Sequence, residues 1–532
     1  MGGILTVLRR GWRIPALVAL TALASGAYLY WLYRPGLILW NPDFLAFTQE
    51  NPPWLFFPPL YRQLVGMLGE GIVAGRILSG TGFLLAMAAL MVPAVRRGRV
   101  SFPLALVGLA GSLSAPHLFA TALSPSVDML YTGVAIIALV ALSTLVMPKG
   151  EQEPLPAGFL VLVLCIYVLV GLRYHAAALF LGMALALVIL AGNRKIRRYA
   201  WLLLAVALIR SCTMLDSPAA RSAREQVWCG LEFRYHRLAA AGVLDGQPRG
   251  GDVNGYVWDQ YDRLIELSRH HSLLDYYTVG QIAAHIADNY CHFLRRPLVL
   301  VGLVLFALGG WGVWRRRDRY LFVLFLLLYP LLLSAAYYTA RASLPTELAG
   351  LYLALQVLGD MWERERRSVS ALAWAGAPLL VLLALAASYP RMRHEVARRH
   401  QQLREAAAVE TVMRQRNLDT FSVWTEDSGV TIRLRNPKSE LTAHAYQSWL
   451  DYAYSRWPHT EPSGVVPPDE LLARGGLPYR LLIIRDRELA ARMLTIGGWE
   501  RVAEESAGDL YLLVREPSPQ GVSRESASEA EH

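Results

Sequence analysis

Residues 41–62 read NPDFLAFTQENPPWLFFPPLYR, a proline-stiffened, aromatic segment carrying Asp43, Glu50 and Arg62, and it lies between two apolar runs at 14–33 and 72–95. Each flanking run is about the length of a membrane span, which needs about 20 mostly apolar residues. A polar and rigid segment between two such runs reads as a structured loop on one side of a bilayer. The fold follows from extending this reading outward.

Of the 532 residues 54% are hydrophobic and only 18% charged, and the mean hydropathy is +0.31, so the chain holds more apolar surface than a water-soluble fold buries. Apolar runs recur up to about residue 389. The net charge of +10 does not indicate nucleic acid, because its Arg and Lys cluster beside those runs, where they fix membrane orientation. Placing the clusters inside puts the N-terminus in the cytoplasm, with Arg9, Arg10 and Arg13 before a retained first anchor. Spans are then expected at 14–33, 72–95, 102–122 and 128–147, two more within 156–192 turning at Arg173-Tyr174-His175, and others at 199–212, 298–314, 320–338, 347–361 and 369–389. That is about eleven transmembrane helices in a domain covering 1–389, with external loops at 34–71 and 213–297.

Residues 390–516 are polar and read as a separate external domain of α/β or α+β type. Helices are expected at 391–416, 444–457 and 487–499, and strands within 421–435, 479–486 and 509–516. Residues 517–532 have the composition of a disordered tail. Of the cysteines, Cys212, Cys229 and Cys291 fall in or beside the large loop, where an odd trio allows at most one bridge and unpaired thiols are equally compatible. No Cys/His spacing forms a zinc site, and no phosphate-binding glycine loop or nucleophile elbow is present.

The residues able to do chemistry gather on the external side. Asp43 sits in the first loop, Pro58 and Pro59 stiffen the approach to Tyr61 and Arg62, His117 ends the third span, and Asp128 opens the fourth. An acid in a first helical turn often serves only the helix dipole. Two carboxylates at the same membrane edge allow an acid/base or metal site. Arg62, Arg76, Arg173 and Arg341 are external or near-external cations. Tyr174 and His175 either line a binding pocket or belong to an interfacial aromatic belt.

The run FPPLYRQLVGMLGEGIVAGRILSG (57–80), followed by SPSVDMLYTGVAIIALVAL (124–142) with an external Asp ahead of both, resembles the polyprenyl-phosphate-sugar-dependent glycosyltransferases of the GT-C superfamily. Within it the chain resembles the branch of the protein mannosyltransferases and the bacterial lipid A aminoarabinose transferases. The likeness covers the order of elements over residues 1–210 and, more weakly, RASLP at 341–345. Where that family often carries Asp-Glu this chain has Pro-Asp-Phe, and where the aminoarabinose branch has a lysine before Pro-Pro this chain has Asn51.

The resemblance implies a GT-C-like fold with an active site at the outer surface. Asp43 takes the place of the catalytic base and Asp128 that of a second acid near the donor phosphate. Tyr61, Arg62, Arg76, His117, Arg173, Tyr174, His175 and Arg341 are the substrate-binding candidates, and a divalent cation at Asp43 and Asp128 is the one cofactor to consider. Partners expected are a lipid-linked sugar, an envelope glycan, lipid or protein acceptor, and membrane lipids, with no nucleic acid. Arg in excess of Lys and the absence of glycosylation sequons fit a bacterial inner membrane with a periplasmic active site. The competing classes are a flippase of lipid-linked sugars and a non-catalytic assembly protein. The first calls for charged groups in mid-membrane and paired halves, neither of which the sequence displays.

Overall fold

The computed structural model describes residues 60–68, 72–96, 99–113, 115, 118, 121–122, 126–146, 156–173, 175–190, 194–215, 270–310, 317–335 and 342–364. Further on it describes 379, 382–383, 386, 389–390, 393, 397, 404, 408–409, 411–418, 423–425, 468–473, 475–476, 479–484, 486–502 and 510–515. The described residues fall into two compact units, one reaching to Arg393 and the other starting at Ala397.

The first unit is helical. Its helices are α1 (Leu60–Met67), α2 (Ile72–Met91), α3 (Phe102–Leu113), α4 (Val127–Val146), α5 (Pro156–Leu172), α6 (His175–Leu190), α7 (Arg194–Leu215), α8 (Val279–Leu294), α9 (Pro297–Gly310), α10 (Arg317–Ser334) and α11 (Leu344–Arg364). Each expected span between 72 and 361 overlaps one of these helices, the run at 102–122 only over its first part. The expected spans at 14–33 and 369–389 lie outside the described residues, the latter but for isolated positions.

Most of these helices are apolar on every face, and their outward faces are apolar too. Leu164 on α5 is 64% exposed, Ile209 on α7 65% and Leu308 on α9 78%, with Leu160, Trp201, Leu202 and Val304 beside them. A helix that is hydrophobic all round and still shows large apolar side chains outward is matched to lipid. The chain is a helical membrane protein. By length and hydropathy, Ala74–Met91 qualifies as a span alone, and α8 with α9 qualifies as a pair bent by 80°.

At the centre is α4, whose Val127, Met129, Tyr131, Ala135, Ile136, Ala138 and Leu139 are all buried. It packs on α2, α5, α10 and α11. Two pairs of glycines set the tightest crossings. A Cβ at Gly82 of α2 would strike the Met129 carbonyl of α4, and one at Gly133 would strike the Gly82 carbonyl. Gly302 of α9 and Gly350 of α11 are in the same relation. In lipid, where burial of apolar groups drives helices together less than in water, such close backbone approach supplies the packing energy.

Several sequence expectations change. Leu60 starts a helix immediately after Pro58-Pro59, as prolines favour at helix entry, so this part of the 34–71 loop is helical. Tyr61 is 1% exposed and turned into the bundle, not presented outward. The run 102–122 is not one continuous helix: α3 stops at Leu113, since the chain approaching Pro116 is driven out of the helical region. The 213–297 loop contains a full helix at its end, α8, started by a capping box in which Thr278 and Gln281 satisfy each other's backbone amides. Cys165, Cys212 and Cys291 carry free thiols, while Cys229 lies outside the described residues.

The second unit contains a four-stranded sheet in the order β3 (Val423–Thr425), β4 (Leu481–Ile484), β6 (Tyr511–Val514), β5 (Glu500–Val502), with β3 and β4 parallel and the other pairs antiparallel. A small β1–β2 hairpin (Val95–Arg96, Arg99–Val100) belongs to the first unit. One face of β4 and β6 buries Leu481, Ile483, Leu512 and Val514 against Val409, Val412 and Met413. The other buries Leu482, Ile484 and Leu513 against α12 (Pro468–Ala473) and α13 (Arg487–Ile496) through Leu471, Leu489 and Met493. Strand β5 is an addition to the expected set, and the helix expected at 444–457 lies outside the described residues. The β5 strand begins just after Gly497 and Gly498, whose φ of 87° and 77° end α13 and turn the chain back.

Asp486 caps α13 by accepting from the amides of Glu488 at 2.7 Å and Leu489 at 3.4 Å. Asp486→Ala is expected to weaken α13 by about 1 kcal/mol. Hydrogen exchange of the α13 amides in the full chain checks this. Protection unchanged from the wild type would show that the cap contributes nothing.

Candidate functional site

One end of the helical unit brings together the start of α4, the α5–α6 turn and the C-terminal part of α10. Asp128 lies in the first turn of α4, and Arg173 sits at the turn between α5 and α6, where its amide still bonds the Leu169 carbonyl. Arg173 Nη2 donates to Asp128 Oδ1. The two side chains are 12% and 15% exposed, so the ion pair is largely withdrawn from water but still reachable.

Serines fix the carboxylate. Ser126 Oγ donates to Asp128 Oδ2 at 3.3 Å and accepts from the Asp128 amide at 3.1 Å, capping α4. Ser126 is itself tied to α2, because Ser79 Oγ donates to the Ser126 carbonyl at 3.0 Å and accepts from its amide at 2.9 Å. The Gly82–Gly133 crossing lies one turn deeper in the same two helices, so close packing and the serine link hold one register.

Three rings surround the next turn. Tyr131, one helical turn after Asp128, meets His175 edge-on with ring centroids 5.5 Å apart. Tyr329 of α10 stacks on Tyr131 at 6.2 Å and meets His175 at 5.6 Å. The Tyr131 hydroxyl and His175 Nε2 are buried without a hydrogen-bond partner among the described residues.

The sequence candidates distribute as follows. Asp128, Arg173 and His175 come together. Arg76, half-buried, is one helical turn before Ser79 on α2. Tyr61 and half-buried Arg62 belong to α1, which packs on the α5–α6 end where Leu60 fills the space beside Gly171. Asp43, His117, Tyr174 and Arg341 lie outside the described residues.

Sequence reasoning missed Tyr131 and Tyr329. The helical spacing from Asp128 pointed to Tyr131, whereas nothing in the sequence ties Tyr329 to this end except its place beside Pro330, which removes a backbone donor within α10.

A second polar cluster joins α8 and α9 to the ends of α10 and α11. Ser343 Oγ donates to Glu347 Oε1 at 2.6 Å, and Arg296 Nε stands 3.6 Å from the same oxygen, with Glu347 almost wholly buried. Asn289 Nδ2 donates to the Ser334 carbonyl at 3.1 Å and lies 3.1 Å from His285 Nε2. These bonds pin the amphipathic α8 across the helix ends, and Ser343 and Glu347 belong to the same segment as Arg341.

Among the described residues no group of three or more His, Cys, Asp or Glu is placed to hold a metal. Both oxygens of Asp128 are engaged, one of them by a guanidinium, so a cation there would have to displace Arg173.

No protein-family model matches the chain, and no curated protein matches it. Among solved structures it is similar to the crystal structure of ArnT from Cupriavidus metallidurans in the apo state, at 11% identity over 96% of this chain and 99% of that one, with a TM-score of 0.49. It is also similar to the same protein bound to undecaprenyl phosphate, at 11% identity and the same coverage, with a TM-score of 0.44.

Proposed function

We propose that the chain is a membrane glycosyltransferase that moves a sugar from a polyprenyl-phosphate donor to a hydroxyl of an envelope glycan, lipid or protein at the outer face of a bacterial inner membrane. The observation that carries this reading is the Asp128–Arg173 pair: a guanidinium held in fixed orientation, largely out of water, at one end of an apolar bundle. The resemblance of the first 210 residues supports it.

The chemistry assigns the roles. The acceptor oxygen attacks the anomeric carbon, the bond from that carbon to the phosphate oxygen breaks, and the electron pair stays with the phosphate. The acceptor proton goes to a carboxylate, and Asp43 is the residue proposed for it, a role worth roughly 10²–10⁴ in rate. The lipid phosphate leaves with added negative charge, so it needs fixed cations and no proton. Arg173 is the first of these, with Arg76 and Arg62 on the neighbouring helices in support. Asp128 is a positioning residue that holds the guanidinium, and in this arrangement Arg173 does what a metal ion would otherwise do.

Purified protein in liposomes, given polyprenyl phosphate carrying a radiolabelled sugar and an envelope extract, tests the reading. Label appearing on the acceptor together with free lipid phosphate supports it. Movement of intact labelled lipid between leaflets, with the sugar–phosphate bond unbroken, assigns the chain to lipid transport and overturns it.

A further inference from the structure

We infer that the second unit carries a binding site for a phosphate monoester, formed by Arg480 and Arg515 at one end of its sheet. It lies wholly within that unit and is independent of the reaction proposed for the helices.

Strand register places the two arginines. Leu481 of β4 stands opposite Val514 of β6, so the next pair outward is Arg480 and Arg515, and the Arg515 amide donates to the Arg480 carbonyl at 2.9 Å. Glu500 of β5 also stands opposite Val514, which brings Trp499 beside Arg515 on the other side. The row across three strands is therefore Arg480, Arg515, Trp499. Like charges opposite one another on adjacent strands repel, so the arginine pair does not serve the sheet.

Arg515 is held rigidly. Its guanidinium lies over the Trp499 ring, 5.1 Å from the centroid, while Nη1 donates to the Gly475 carbonyl at 3.1 Å and Nη2 to the Gly497 carbonyl at 3.3 Å. The Trp499 ring is fixed in turn by a bond from Nε1 to the Gly475 carbonyl at 3.0 Å. Two glycine turns make room for this arrangement: Gly475 and Gly476 have φ of 59° and 83°, and a Cβ at Gly498 would come within 3.0 Å of the Arg515 guanidinium. The acceptors are neutral carbonyls, so the charge of Arg515 stays uncompensated and its remaining N–H groups can serve a ligand.

Arg480 is less satisfied still. It is half-buried, and its Nε is buried without a hydrogen-bond partner among the described residues. A buried donor left unmet costs stability, so it marks a group that something else completes. The described carboxylates of this unit are placed elsewhere: Asp486 caps α13, Glu488 sits in the first turn of α13, and Glu500 pairs with Arg416 at 3.8 Å. Two guanidinium groups without a counter-charge call for an oxyanion, whose geometry their planar N–H forks match. A phosphate monoester carries close to two negative charges at neutral pH and answers both, where a carboxylate answers one. A sugar phosphate and a lipid headgroup offer the same chemistry.

Phenylglyoxal modification of the full chain in detergent, read arginine by arginine by mass spectrometry, tests the site. A sugar phosphate is expected to slow modification of Arg480 and Arg515 about 10-fold, while Arg487 and Arg492, exposed on α13, react as before. Acetate at equal ionic strength is expected to protect far less. In Arg480→Gln the sugar phosphate no longer protects Arg515, and the melting temperature stays equal or rises, because an unpaired, partly buried charge is gone. The same measurement on chain reconstituted in phosphatidylcholine vesicles, with and without phosphatidic acid, separates the sources. Protection by phosphatidic acid alone identifies a lipid headgroup, and protection by the sugar phosphate alone identifies a phosphate borne on a sugar.

Arg480 and Arg515 left unprotected in both arms, or equal protection of the α13 arginines, overturns the inference. Equal protection by acetate does so too, as does protection of Arg515 that survives Arg480→Gln. A melting temperature lowered by Arg480→Gln would show that Arg480 serves the fold, with the same consequence.

Discussion

Arg173→Gln is expected to lower sugar transfer by roughly 10²–10³-fold, the cost of removing one fixed donor from developing negative charge. The loss falls on kcat, since the charge on the phosphate grows toward the transition state and the lost interaction is stronger there. Asp128→Asn acts differently. It keeps the shape of the carboxylate but leaves a guanidinium that is only 12% exposed without its counter-charge, so stability as well as activity falls, by up to about 3–5 kcal/mol. The double variant Asp128→Asn/Arg173→Gln regains much of that stability while staying inactive, because the uncompensated charge is gone but so is the phosphate donor. Thermal melts and turnover on the same preparations separate the two effects. Full turnover in Arg173→Gln would remove this residue from the chemistry, and additive losses of stability in the double variant would show that the pair is not coupled.

The second large effect concerns the α2–α4 crossing. Gly80 and Gly82 are two residues apart in the same helix, and intrinsic helix propensity favours alanine at both by about 0.5–1 kcal/mol. A Cβ at Gly80 meets nothing within 4 Å, so Gly80→Ala is expected to leave stability unchanged or raise it slightly. At Gly82 the Cβ meets the Met129 carbonyl and the Leu130 Cα, which are backbone atoms and cannot rotate away. Gly82→Ala therefore forces the helices apart and is expected to cost about 3 kcal/mol. The displacement also strains the Ser79–Ser126 bonds at the adjoining turn, so the Asp128 carboxylate loses its fixed orientation and activity falls along with stability. Equal melting temperatures for the two alanine variants in detergent would refute the close crossing.

The consequence for the site is that its rigidity comes from packing a turn away from the chemistry. Asp128 is held through Ser126, Ser126 through Ser79, and α2 through Gly82 against Gly133. Substitutions far from any substrate contact can thus act on the phosphate-binding geometry.

The sequence alone indicated where apolar helices lie between 72 and 361, because a run of about 20 apolar residues has few solutions other than a helix that satisfies its own backbone in lipid. The turn at Arg173, the start of α4 at Asp128 and strands β4 and β6 were legible for the same kind of reason: polar or β-branched residues interrupt or alternate in a local pattern. The end of α3 before Pro116 and the helix after Pro58-Pro59 follow from proline geometry. What only the tertiary structure decided is which faces meet. Helices such as α4, α5 and α6 are apolar on all sides, so no periodicity tells the side toward protein from the side toward lipid. The pairing of Asp128 with Arg173, 45 residues away, the burial of Tyr61, the meeting of Tyr131 with Tyr329 and the Ser343–Glu347–Arg296 cluster depend on how uniform cylinders are rotated against one another. That rotation is set by backbone contact at a few glycines and by a few buried hydrogen bonds, and neither leaves a periodic mark on the chain.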